Sequence, residues 1–169
     1  MKSSARVVII GGGSLGVSLF YHLAEEGWND VILIEKGELT SGSTWHAAGL
    51  CSNFIGNMTV AKIHNYSIRL YDEILPSQSG NPSVFHKCGS LRVGYSRIEE
   101  EWFRHLLSRS KNVPCEFNII SRDEARDLHP FMNFENARII VNTPNDGHVD
   151  PSSVAVSYTH LTLPTTSPV

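Results

Sequence analysis

Val7–Leu50 reads VVIIGGGSLGVSLFYHLAEEGWNDVILIEKGELTSGSTWHAAGL, and the order of residue types in it decides the fold. Four β-branched residues, Val7 to Ile10, run into Gly11, Gly12, Gly13, Ser14, Leu15 and Gly16; a helical pattern follows, with Leu19, Leu23 and Ala24 on one face. This predicts strand, tight turn, helix. Gly11 permits the sharp turn, Gly13 lets backbone approach a pyrophosphate, and Gly16 lets helix and strand pack closely, while the helix N-terminus offers unpaired N–H groups to the anion. Ser14 and Leu15 belong to the same turn. Gly27 stops the helix, and a second apolar run, Val31 to Ile34, ends in Glu35 and Lys36. Glu35 lies 22 residues beyond Gly13, close to the roughly 20 at which an acidic side chain accepts hydrogen bonds from ribose hydroxyls. A carboxylate there disfavours a 2′-phosphate.

A G-x-G-x-x-G turn between strand and helix serves FAD and NAD alike. The stretch after the second strand does more to separate them. Gly42, Ser43, Thr44, Trp45, His46, Ala47, Ala48, Gly49 and Leu50 form a Gly-bounded run of small residues around two rings. The eleven residues from Glu35 to His46 span up to roughly 36 to 40 Å when extended. Such a loop can follow an extended dinucleotide to its redox ring. Taken alone, a loop histidine is more often a hydrogen-bonding or solvent-facing residue, and Trp45 either walls a ring or fills core.

Residues 5–155 resemble the amino-terminal part of the dimethylglycine and sarcosine dehydrogenase family, flavoproteins of the D-amino-acid-oxidase type. The motifs that carry the resemblance are GGGSLGVS, ILIEKGELTSGSTWHAAGL, KIHNYSIRLYDEI, GSLRV and NDGHVDP. It implies an α/β fold: a truncated Rossmann-like FAD-binding domain with the start of an α+β substrate domain. Residues 1–57 are the expected FAD unit with its attachment loop, and residues 58–155 the interleaved FAD and substrate region. In that family the His of the GSTWHAAG loop is joined covalently to the 8α-methyl of FAD, and His46 holds that position. The implied reaction is oxidation of a small N-methyl amine, with hydride passing to flavin N5 and the iminium hydrolysed or handed to tetrahydrofolate. Attachment demands a neutral imidazole nitrogen, which histidine supplies near neutral pH. It is expected to retain the cofactor and raise its potential, while the chemistry stays the flavin's.

With 169 residues, 41% hydrophobic and 18% charged, the chain can build an ordinary globular core. A formal charge of −3 gives no electrostatic case for nucleic acid. Cys51, Cys88 and Cys115 are odd in number and irregularly spaced, as expected of reduced thiols. No metal-ligand set is expected. Met1 to Arg6 is too short for a signal or transit peptide, and no apolar run approaches the roughly 18 residues of a membrane span. The expected location is cytoplasmic, or the mitochondrial matrix if a transit peptide is missing.

Beyond the loop, Thr59 to Leu75 fits a helix with Ile63, Tyr66, Leu70, Tyr71 and Ile74 as its core stripe, and Lys62 and His64 outward. Pro76 to Pro82 reads as a loop. Val84 to Tyr95 is strand material bent at Gly89, and Arg92 either sits on a polar outer face or meets a substrate carboxylate. Helix returns from Ile98 to Ser110 with Ile98, Trp102, Phe103, Leu106 and Leu107 inward, its acidic start Glu99 to Glu101 suiting the helix dipole. Phe117 to Ile120 is a strand, and Ser121 with Glu124 makes a capping box for a helix from Arg122 to Leu128. Ala137 to Asn142 is a further strand. Pro144 to Gly147 turn the chain toward His148 and Asp150, where Asp150 as N-cap and Pro151 at the first position start a helix.

That helix changes character within itself. Val156–Val169, VSYTHLTLPTTSPV, holds four Thr, two Pro and no charged side chain; back-translated, Val156 to Thr165 matches a transposase adapter used in sequencing libraries. Residues 156–169 are therefore expected to be a non-native tail on a chain truncated near Ala155. A truncated chain holds the ADP half of the site and the attachment loop, without an identifiable catalytic base or substrate clamp. It is expected to be inactive alone and, with an exposed sheet edge, poorly soluble. Two other classes share the opening motif: a non-catalytic regulatory or scaffold relative, expected to lack His46, and an NAD-dependent dehydrogenase, which has no use for the GSTWHAAG loop. The amine, the electron acceptor and the oligomeric state are not legible.

Overall fold

A computed structural model describes residues 4–112 and 114–162. The chain forms two compact units, each drawn from separated stretches. The first takes the chain up to Gly49, Leu70–Phe85 and the chain from Val149 onward; the second takes Leu50–Arg69 and His86–His148. The expected boundary at residue 57 lies inside the second unit.

In the first unit, β1 (Val7–Ile10), α1 (Ser14–Glu25) and β2 (Val31–Ile34) follow the expected order. β1 and β2 pair in parallel, Val7 opposite Val31 and Ile10 opposite Ile34. The helical crossover that a parallel pair requires is α1. Gly27 ends that helix as expected, its N–H on the Ala24 carbonyl at 2.9 Å. The buried face differs from the expected one: Val17 and Tyr21 are inside, whereas Leu19 and Ala24 are exposed. The reason is α6 (Pro151–Thr162), which packs on α1 and sets the Tyr158 ring 5.3 Å from that of Tyr21. The helix starts as its sequence predicts, the Ser153 N–H donating to Asp150 Oδ2 at 2.7 Å. It then runs across Val156 without a break to Thr162, and residues 163–169 of the expected tail lie outside the described residues.

In the second unit, β5 (Ser90–Gly94), β6 (Asn118–Ile119) and β7 (Ile139–Thr143) form an antiparallel sheet with β7 in the middle. Side chains alternate across a strand, so β7 serves two cores. Ile139 and Val141 pack with Phe54, Phe103 and Leu106, while Ile140 packs with Ala125, Phe134 and Ala137. Phe103 and Leu106 come from α4 (Arg97–Ser110), Ala125 from α5 (Arg122–Leu128). The α5 capping box is present as expected; Ile98, at 79% exposure, and Trp102 do not join the α4 core face. The covered stripe is narrower, centred on Phe103 and Leu106. A second small sheet places β8 (Gly147–Val149) between β3 (Leu50–Cys51) and β4 (Phe85–His86).

The helix expected over Thr59–Leu75 is α2 (Met58–Arg69), a π-helical stretch Leu70–Ile74 and α3 (Leu75–Ser79), so Pro76 begins a helical turn instead of a loop. Proline is well suited to a first helical turn. Of the expected stripe Leu70 is buried and Tyr71 and Ile74 half-buried, whereas Ile63 and Tyr66 are exposed and Ala61, Ile68 and Leu75 are buried instead; beyond Leu70 an i→i+5 turn shifts the register that a 3.6-residue period extrapolates.

Candidate functional site

The glycine turn and the loop after β2 lie in the same unit and are tied together. Gly11 takes a positive φ of 107° and gives its N–H to the Ile34 carbonyl at 2.8 Å, locking the turn onto β2. Gly13 is the N-cap of α1, with no capping side chain, so the first turn of the helix presents backbone. At Gly16 a Cβ would collide with the Gly11 carbonyl oxygen; only glycine allows the helix to cross the strand this closely. Leu15 projects outward at 87% exposure.

Glu35 sits at the end of β2 with both oxygens on backbone: Gly12 N–H donates to Oε2 at 2.7 Å and Gly37 N–H to Oε1 at 2.9 Å. These bonds, Gly12's first, hold its carboxyl below the ordinary carboxylate range. An ionised carboxylate offers about four acceptor positions, so hydroxyl donors can still be accepted. Lys36 is exposed beside it.

From Gly42 to Ala48 the loop is exposed except at Thr44. The buried Thr44 is its anchor: Ser14 N–H donates to Thr44 Oγ1 at 3.0 Å, and a Cβ on Gly13 would stand 2.9 Å from that oxygen. Thr40, with a positive φ of 68°, adds a second tie through its N–H to the Gly12 carbonyl at 3.1 Å. The far end is fixed at Gly49, where Val149 N–H donates to the Gly49 carbonyl at 2.9 Å and any Cβ would strike the Val149 carbonyl oxygen. Between these anchors Thr44–His46 make one 3₁₀ turn, and Ala47 returns to extended backbone. The turn sets the Trp45 and His46 rings against each other, centroids 3.9 Å apart and planes tilted by 36°. His46 Nδ1 lies 3.1 Å from the Gly42 carbonyl. A carbonyl can only accept, so in the neutral ring Nδ1 carries the proton and Nε2 keeps its lone pair. Of the sequence-predicted residues, Leu50 alone falls in the second unit. The roles of Thr40 and Thr44 as anchors are not visible in sequence, since each depends on a partner about 30 residues away.

The second unit carries a cleft of about 380 Å³, its walls including Leu50, Cys51, Ser52, Leu91, Arg92 and His148. Arg92 Nη2 donates to Ser52 Oγ at 3.0 Å, and its guanidinium carbon stands 5.6 Å from the Phe54 ring centre. Behind the wall Asp146, 1% exposed, accepts from Asn53 N–H at 2.8 Å, Asn53 Nδ2 at 2.9 Å and Ser90 Oγ at 2.6 Å. Burial first, and the Asp146 charge second, push the Cys51 thiol up to about 11. Cys51 is therefore a neutral thiol at physiological pH and a poor nucleophile. Asp146 was expected as a turn residue, and the turn is there; its buried network was not expected.

The sequence model of the FAD dependent oxidoreductase family, DAO, matches residues 6–162. The chain belongs to this FAD dependent oxidoreductase family. Within it, the chain is 41% identical over 156 residues to mitochondrial dimethylglycine dehydrogenase of Mus musculus, covering 92% of this chain and 18% of that protein. It is 31% identical to mitochondrial sarcosine dehydrogenase of Homo sapiens, over 93% of this chain and 17% of that protein. The chain thus spans under a fifth of the length of these curated relatives. Among solved structures, L-proline dehydrogenase from P. horikoshii superposes with a TM-score of 0.85 at 22% identity, over 96% of this chain and 42% of that one. That likeness confirms the expected α/β fold. Among the described residues no helix is long and apolar enough to cross a membrane.

Proposed function

We propose that the chain is the flavin-holding, amino-terminal part of a longer enzyme that oxidises a small N-methylated amino acid of the dimethylglycine or sarcosine type. The names of the relatives support the substrate class, and the short share of their length supports the fragment reading. The observation that carries the proposal is the bond from Ser14 N–H to Thr44 Oγ1, which joins the His46 loop to the turn that cradles phosphate. When bound, FAD supplies a two-electron acceptor for the hydride of the N-methyl carbon, and the resulting iminium is hydrolysed or passed to tetrahydrofolate by regions outside this chain.

The residues present fit that cofactor. The backbone of Gly13, Leu15 and Gly16 receives the pyrophosphate, aided by the α1 dipole, while Gly11 and Ser14, whose N–H groups are held by the Ile34 carbonyl and Thr44 Oγ1, shape the turn around it. Glu35 accepts from ribose hydroxyls with Lys36 beside it. Ser43 to Ala48 would follow the nucleotide outward, and His46 Nε2, the nitrogen without a proton, would be the atom that holds the 8α carbon. Trp45 lies tilted against the His46 ring and limits its rotation.

The test uses the full-length protein. Acid-denatured wild type is expected to keep its yellow absorbance on the polypeptide, and His46→Ala to release it while still binding FAD before denaturation. Wild type that stays colourless with ample FAD would favour the scaffold or nicotinamide reading. Colour lost equally from both proteins on denaturation overturns the covalent bond and leaves the flavin.

A further inference from the structure

We propose that a patch of apolar side chains on the second unit, centred on Phe131, is the docking surface for the additional region of the longer enzyme. Phe131 is 95% exposed, Leu128 59%, Tyr95 47% and Met132 38%. These are not gaps in an unfinished core. Both faces of β7 are already covered, by Phe103 and Leu106 on one side and by Ala125, Phe134 and Ala137 on the other, so the exposed side chains lie outside a closed pair of cores. Nor do they ride on a loose loop. The fully buried Phe134 anchors the segment. Within it the Met132 N–H donates to the His129 carbonyl at 3.2 Å and the Glu135 N–H to Asn133 Oδ1 at 2.8 Å. The Tyr95 hydroxyl donates to the Asn133 carbonyl at 3.3 Å, which brings the residue after β5 against the segment after α5. The His129 ring meets that of Phe131 edge-on, centroids 6.3 Å apart. A large apolar side chain held in place in water is the kind of anchor that binding surfaces present.

The size of the patch and the lengths of the relatives name the occupant. A standard interface buries roughly 800 Å² per partner, and a fully buried aromatic side chain supplies about 150 to 250 Å². Tyr95, Leu128, Phe131 and Met132, none larger than a single aromatic and three of them only partly exposed, are too few to hold a second copy. A segment of the same chain needs less, because the covalent link gives it a high effective concentration. The relatives contain such a segment. The matched stretch makes up 42% of L-proline dehydrogenase but 18% of dimethylglycine dehydrogenase, so the latter carries a region longer than the whole of the former. That this chain continues into such a region rests on the function proposed above; that the Phe131 patch is a covered surface does not.

Full-length protein with p-benzoylphenylalanine in place of Phe131, irradiated and mapped by mass spectrometry, tests this. Cross-links are expected within one chain, to peptides beyond the part that aligns with L-proline dehydrogenase. Cross-links to a second copy, to the flavin-holding part alone, or to no peptide would each overturn the inference. Limited proteolysis of Phe131→Ser is expected to release that region about 10- to 30-fold faster than from wild type, the range for loss of an interface anchor, and Phe131→Tyr to stay near wild type. Equal rates in wild type and Phe131→Ser overturn the inference as well. If Phe131→Ser fails to fold, the cross-linked peptides decide. Remote cross-links in a protein that stays colourless with ample FAD sink the flavin reading alone; acid-stable flavin with cross-links only between copies sinks this inference alone.

Discussion

Three donors converge on the Asp146 carboxylate, and among the described residues no cation pairs with it. Deleting it strands the Asn53 N–H, the Asn53 side-chain amide and the Ser90 hydroxyl in the interior. Asp146→Ala is therefore expected to cost about 3 to 5 kcal/mol, and Asp146→Asn about 1 to 2 kcal/mol because the Ser90 hydroxyl can turn and accept. Urea unfolding followed by circular dichroism measures both, and an Ala variant within 1 kcal/mol of wild type would show the network to be dispensable. The sequence offers no hint of this arrangement: Asp146 sits in a Pro-Asn-Asp-Gly turn, where exposure is the ordinary expectation, and Asn53 is 93 positions away. The places of Gly16 at the crossing of helix and strand and of Glu35 at the end of β2 are legible for the opposite reason: each is set by its position in the strand, turn and helix order itself.

Helices show the same division between local and distant causes. The α5 start was readable because Ser121 and Glu124 are three residues apart and bond to each other's backbone. Ser96 and Glu99 have the same spacing and the same reciprocal bonds at α4, yet the neighbouring acidic residues invited a dipole explanation that hid the cap. The covered face of α1 differs from the one its periodicity gives because α6 packs on the side of Val17 and Tyr21. Ser121→Ala should lower stability by about 1 kcal/mol. Both Glu99 and Glu124 are held below the ordinary carboxylate value of 4.5, first by the backbone N–H of Ser96 and Ser121 and then by their hydroxyls. A carboxyl whose folded pKa is depressed stabilises above its unfolded value and loses that contribution as pH falls through the folded one. Stability should thus decline below about pH 4.5, and the Glu99→Gln, Glu124→Gln double variant should show a flatter acid limb. Identical acid limbs in thermal melts would remove the caps from the pH response.

At the scale of the molecule, the first unit leaves apolar side chains in water where a parallel sheet ordinarily has cover on both faces. Ile10 is 86% exposed and Leu15 87%, with Val8 and Ile34 about half exposed. Expressed by itself, the chain should self-associate and bind a hydrophobic dye; a monodisperse monomer on size exclusion with no dye uptake would contradict this. The interleaving of the two units has a temporal consequence. Helix α6, whose Tyr158 closes over Tyr21, is made about 100 residues after Gly49, which at ribosomal speed is roughly 5 to 20 s. Until it emerges, the loop bearing His46 lacks its clasp at Gly49, so nascent chains reach the end of the second unit before the first can shut.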